Sequence, residues 1–179
     1  LKYRPSPSLL DCLIKYKKKK IDLENYSLDE IWIDQKMIEK DYDNLSSFFW
    51  LFSLDLKSSK RGTQNIILQW IEKNSRYNSR SWKIDIIAKR VIAWISNSKL
   101  TYEDAGPVYR NKFNNIIKKQ INHLINEIEK DEWVDNKMTG CAAIILAGLS
   151  YHDKDGYLNY GLNLLKKIIK FSFDNTGFP

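Results

Sequence analysis

The chain has 179 residues, of which 43% are hydrophobic and 13% aromatic, with six Trp. That is too apolar for disorder and long enough for one domain with its own core. A net charge of +7 suits polyanionic partners such as nucleic acid, acidic polysaccharide or anionic lipid, although Lys spread over solvated faces gives the same sum. No apolar run approaches the roughly 20 residues of a membrane-spanning helix, and no secretory leader is recognisable.

Scarce Pro (4) and Gly (7) imply long helices with short connections. Leu1 to Pro7 reads as an extended lead-in. From Ser8, a plausible N-cap, Leu9, Cys12, Leu13 and Tyr16 fall at helical spacing, and Lys17 to Lys20 close that helix as cations near a C-terminus do. Within the mixed stretch 21–42, Leu28, Ile31 and Trp32 suit a short helical turn. Residues 44–55 predict a dense apolar helix with Phe48, Leu51 and Phe52 on one face. Residues 63–73 predict another, followed by a polar loop over 74–80.

Ser81 is then expected to cap a helix whose stripe is Ile84, Ile87, Ala88, Val91 and Ile95. The longest helix is expected from Ala105 or Val108 to Lys130, with Phe113, Ile117, Ile121, Leu124 and Ile128 as its stripe. Asp135 or Asn136 should cap the next, whose stripe is Met138, Ala142, Ile145, Leu146 and Leu149. After a loop at His152 to Gly156, Tyr157 to Phe171 forms the last helix, with Leu158, Leu162, Leu165 and Ile169 on one face. No stretch alternates with period two, and no fixed repeat argues for a regular solenoid. The expectation is a single all-α domain over 1–179, built of antiparallel helical hairpins. Cys12 and Cys141 sit in apolar helical contexts and read as buried thiols rather than a disulfide. Two His, His123 and His152, and no CxxC give no metal site, and no cofactor motif is evident.

Several segments resemble the heparinase II/III-like polysaccharide lyases, in the family's order. Residues 44–56 resemble its aromatic early helices. Trp70-Ile71, Trp82, Arg90 and Trp94-Ile95 match a pair of segments in which a helix ending W-I precedes a Trp and then R-x-x-x-W-I. His123-Leu124, Asn136, Ala143 and Ala147-Gly148 match the segment H-L, G-N-H, A and A-G. Residues 173–179 resemble the segment around its D-G-G. The resemblance implies that this chain is the first part of an incomplete α/α toroid, without the family's β-sandwich domain and without the tyrosine beyond D-G-G. It also implies a periplasmic or secreted parent and, as partners, an acidic polysaccharide and the C-terminal remainder of the same protein. In place of the family's G-N-H this chain carries Asp135-Asn136-Lys137.

Enzymes of this kind cleave uronic-acid glycosides by β-elimination. A base removes the C5 proton beside the carboxylate, and an amide or cation must disperse the charge that develops there. Tyr or His serves as the base and Tyr as the acid to the leaving oxygen. By the resemblance, Asn136 is the catalytic residue that contacts the carboxylate; at a helix N-terminus it would stand beside free N–H groups that favour an anion. On the residues alone, Asn136 is an N-cap. Lys137 is a candidate replacement for the missing His. Arg90, Trp94, Trp82 and His123 are the further candidate substrate-binding residues. For Arg90 and Trp94 the residue-level reading is structural, an Arg bridging helices and a Trp in the core. For Trp82 packing is the alternative, and for His123 a satisfied structural group. Tyr151-His152 looks like a catalytic pair but lies in the wrong segment and is rejected. Lacking the acid and base, this portion alone is expected to be inactive. The competing readings are a non-catalytic helical interaction module and a nucleic-acid-binding domain; the latter lacks a helix-turn-helix or RNA-binding signature.

Overall fold

The computed structural model describes residues 32, 37–54, 60–151 and 156–172. The expected first helix with Cys12, the Lys17 to Lys20 run, His152 and residues 173–179 lie outside them. The described residues are all-α: seven α-helices and two 3-10 turns, without a strand. In chain order they are α1 (Glu39–Ser46), a 3-10 turn (Phe49–Ser53), α2 (Lys60–Asn74), α3 (Ile84–Ser96), the single turn α4 (Ser98–Thr101), α5 (Pro107–Glu127), a 3-10 turn (Ile128–Lys130), α6 (Val134–Ser150) and α7 (Tyr157–Ser172). The buried side chains form one continuous cluster from Trp32 to Ile168.

The helix expected over 44–55 is broken. Phe48 has φ 56°, a left-handed conformation that costs a bulky residue roughly 1–2 kcal/mol. The break turns its ring wholly inward, against Trp32, Trp50, Trp70 and Trp94. It also reverses part of the predicted face, since Phe52 is exposed beside Phe49. Four Trp rings around one Phe outweigh local helix continuity here.

Helix α5 follows its sequence closely. Gly106 is the N-cap and Pro107 opens the first turn, where a missing N–H costs nothing. Phe113, Ile117, Ile121, Leu124 and Ile128 are all buried as the stripe requires. The other two caps differ from expectation. Ser81 does not cap α3, which starts after Lys83 with no side-chain cap; Ser81 is buried and bonded to Asn78 instead. Neither Asp135 nor Asn136 caps α6, whose N-cap is Trp133.

The faces of α6 and α7 are also rotated. The buried face of α6 is Gly140, Cys141, Ala143, Ile144, Ala147 and Gly148, whereas Ala142 and Leu149 point to solvent. That of α7 is Tyr157, Gly161, Leu164 and Ile168. Small residues set the phase. A Cβ on Gly161 would lie 2.7 Å from Ile145 Cγ1, and one on Gly148 would lie 2.5 Å from the Leu158 backbone nitrogen, so the antiparallel α6–α7 hairpin closes on its glycines. The predicted α7 stripe is left half-buried at Leu158 and Leu165 and exposed at Leu162 and Ile169.

Helix α6 packs on α3, α5 and α7, and α5 packs on α2 and α3. Contacts of α5 with α3 and the residue just before it (Trp82 with His123, Arg90 with Gln120, Trp94 with Phe113) make those helices antiparallel. Gly140 faces Ile128 and Leu124, and Tyr151 reaches Asn114, so α6 runs back along α5. The end of α2, the start of α3, the end of α5 and the start of α6 therefore share one end of the bundle. The Cys141 thiol is free and buried, and burial pushes its pKa up to about 11, so it stays protonated and unreactive at neutral pH.

Candidate functional site

That shared end gathers four of the six predicted residues. Trp82 is nearly buried. Its indole N–H donates to the Asn74 carbonyl at 2.9 Å, and its ring meets His123 edge-on, with centroids 5.4 Å apart at 90°. Asn74 ends α2 and organises the loop behind it: its amide donates to Trp70 O, and its Oδ1 accepts from Asn78 and from the Tyr42 hydroxyl. Asn78 Oδ1 in turn accepts the backbone N–H and the hydroxyl of Ser81, each at 2.8 Å. The loop over 75–83 is thus held by side-chain amides.

On that loop stands Tyr77, 67% exposed. Its ring is 5.5 Å from His123 and 6.4 Å from Trp82. An aromatic this open, braced from behind by two rings, is a residue that helical periodicity could not find. The signal available was its place between Arg76 and Asn78 in a polar loop, where core packing does not explain an aromatic.

His123 is half-buried. Burial lowers its pKa, against the opposing pull of Glu127 and a backbone hydrogen bond at Trp82, so the ring is neutral at pH 7. Because the folded-state pKa is below the ordinary 6.5, acidification through that value protonates the unfolded chain first, and stability falls as pH drops below about 6.5. Replacing His123 with Gln is expected to flatten the decline in melting temperature between about pH 7 and pH 5; equal slopes for the two proteins would contradict this.

Asn136 is half-buried in the first turn of α6. Its amide donates to both Asp131 oxygens, at 3.2 and 3.3 Å. Asp131 Oδ1 also accepts the Trp133 N–H at 2.8 Å. The anion favoured at this helix start is therefore already supplied by the protein. The bonds of the Asn136 amide nitrogen both go to this one carboxylate, so a ligand carboxylate would compete with Asp131 for its N–H groups. Lys137 follows, half-buried and without an ion-pair partner among the described residues.

Arg90 and Trp94 lie elsewhere. Both are fully buried, inside the core rather than facing a cleft, and a sugar chain cannot touch them without opening it. The Arg90 guanidinium lies over the Trp70 ring at 3.9 Å. It donates to Gln120 Oε1 (2.7 Å), Ser46 O (2.8 Å), Ser46 Oγ (3.3 Å) and Ser81 O (3.0 Å). Desolvation pushes its pKa down to about 9, so it stays charged at neutral pH. It ties α1, the loop before α3 and α5 to one another. Trp94 stacks on Phe113 and meets Trp70 edge-on. Tyr151 donates its hydroxyl to Asn114 at 3.2 Å.

Beside this end, α2 and α5 leave a cleft of ≈ 240 Å³ lined by Ile71, Glu72, Ser75, Lys112, Asn115 and Lys119, with Ile116 at its floor. No group of three or more His, Cys, Asp or Glu among the described residues is arranged to hold a metal ion, and no described helix is long and apolar enough to cross a membrane. No protein family, curated protein or solved structure matches this chain.

Proposed function

We propose that this chain is the helical portion of a polysaccharide lyase that cleaves a uronate-containing polymer by β-elimination. The observation that carries the reading is that Trp82, His123, Asn136 and Lys137, separated by up to 55 positions in sequence, lie at one end of one helical bundle. The residue types suit the chemistry. The Asn136 amide, once released from Asp131, and the Lys137 ammonium can disperse charge on a C5 carboxylate. A neutral His123 can accept or donate to a sugar hydroxyl.

The toroid reading draws support from α7. Its half-open stripe of Leu158, Leu162, Leu165 and Ile169, with Phe171 75% exposed beyond it, is what a following helical hairpin of a toroid would cover. The base and acid are expected from that remainder.

The test is a pair of substitutions in the longer parent protein. Asn136→Ala is expected to lower kcat by about 10²-fold or more, the range for losing one preorganised donor to a developing anion. Lys137→Ala is expected to weaken both affinity and rate. Unchanged turnover in Asn136→Ala would remove Asn136 from the mechanism. The alternative of a non-catalytic polyanion-binding module keeps its support from the +7 charge and would be favoured by binding without turnover in the parent.

A further inference from the structure

Four residues of α5, Lys112, Asn115, Lys119 and His123, recur at intervals of three and four and so share one face of the helix. The first three line the α2–α5 cleft, and His123 lies one turn beyond Lys119, under the Tyr77 ring. Across the cleft, Ser75 begins the loop that carries Arg76 and Tyr77. We propose that this groove is a binding track for an extended acidic oligosaccharide, with Tyr77 as the stacking platform at one end and Lys119 and Arg76 as the charge contacts. The inference rests on the polysaccharide reading above and names residues for it that the resemblance did not.

Three observations fix the ligand class. The first is shape: at ~1.5 Å rise per residue, Lys112 to His123 spans about 16 Å, which suits a chain of several sugar rings rather than a compact metabolite. The second is charge. Arg76 and Lys119 are exposed and have no ion-pair partner among the described residues, while Lys112 is already paired with Glu72 at 2.9 Å. Two cations unpaired among the described residues suit carboxylates spaced along a polymer.

The third is the mixture of partners. Ser75, Asn115, neutral His123 and the Glu72 carboxylate offer donors and acceptors to hydroxyl groups. The Glu72 carboxylate is neutralised by Lys112, so it offers acceptors to hydroxyls without repelling an acidic chain. A single open aromatic suits one pyranose face better than the successive stacked bases that single-stranded nucleic acid requires. Tyr77 is held by ring contacts to His123 and Trp82, so little is lost in ordering it on binding.

The test is titration of the 179-residue chain with an oligouronate from alginate, a neutral cello-oligosaccharide and an oligo-dT of equal charge, in the wild type and in Tyr77→Ala, Tyr77→Phe and Lys119→Glu. The oligouronate is expected to bind most tightly. Tyr77→Ala should weaken it about tenfold, and Tyr77→Phe should not. Lys119→Glu should weaken it about fivefold and reduce its salt dependence. Both positions are exposed, so melting temperatures should match the wild type and separate lost binding from lost folding. Oligouronate binding unaffected by Tyr77→Ala and Lys119→Glu, or oligo-dT binding tighter than the oligouronate, would overturn the proposal. The lyase reading is judged separately, by turnover in the parent: a Tyr77-dependent oligouronate complex supports the track whether or not the parent forms product.

Discussion

Replacing Arg90 with Met is expected to destabilise the protein by about 3–5 kcal/mol, the range for removing one partner from a buried charge network. The side chain would keep much of its volume, so cavity formation contributes little. The loss is polar. Ser46 O, Ser81 O and Gln120 Oε1 each accept from the guanidinium in a site closed to water, and all three would be left without that donor. Trp70 would lose the cation over its face at 3.9 Å. Arg90→Lys is expected to recover only part of this, because one ammonium cannot donate in three fixed directions while lying flat on an indole. Urea denaturation gives the number; a loss below about 1 kcal/mol for Arg90→Met would show that these carbonyls are satisfied without the guanidinium. A drop of the expected size would identify Arg90 as the clamp between α1, the 75–83 loop and α5, a role that needs no ligand.

The second large effect is expected at Gly148. A Cβ there would stand 2.5 Å from the Leu158 nitrogen and 2.9 Å from its Cα. Backbone cannot rotate aside as a side chain can, so Gly148→Val must push α7 away from α6. The expected cost is about 3 kcal/mol, the upper part of the range for overpacking a close contact. The displaced helix would also uncover Leu164 and Ile168, which are buried in the wild type. Gly106→Ala is the control: nothing lies within 4 Å of its Cβ position, and exchanging an N-cap Gly for Ala should cost under about 1 kcal/mol. Equal stability of the two variants would mean that the α6–α7 hairpin does not close on its glycines.

These two residues also mark what the sequence could and could not disclose. The helical class was readable because Gly and Pro are rare and apolar residues recur at helical spacing. Helix α5 was readable in detail because its one apolar stripe is flanked by Asn, Lys and Gln, which leave a single way to face the core. Helix α6 offered no such contrast. Apolar or small residues lie on nearly every side of it, so hydrophobicity assigned no phase. Gly140, Ala143, Ala147 and Gly148 set the phase through close approach, a property of a partner helix that one sequence does not show. The buried face of α7 lies one residue out of phase with its predicted stripe for the same reason, since Gly161 rather than a large apolar residue faces Ile145.

At the candidate site, Trp82 and His123 are each legible through the resemblance but not as a pair, because their contact joins the loop before α3 to α5 across 41 positions. Arg90 could be named but not placed; its environment depends on the Phe48 break, which local propensity argued against. Asn136 was placed near the start of a helix, but Asp131, which holds its amide and occupies the anion-favouring position, carries no recognisable motif. Tyr77 is not legible in the sequence because a loop has no periodicity from which an exposed aromatic could stand out.

The central claim is β-elimination of a uronate polymer, and its direct test is the product. Incubating the longer parent protein with a panel of acidic polysaccharides, including alginate and heparan sulfate, should produce the ultraviolet absorbance of an unsaturated uronate with at least one of them, while the 179-residue chain alone should produce none. Absence of that absorbance with every polymer in the panel, while the parent is folded and binds oligouronate, would contradict a lyase and leave a glycan-binding helical module. Turnover by the 179-residue chain alone would contradict the assignment of the acid and base to the remainder of the protein.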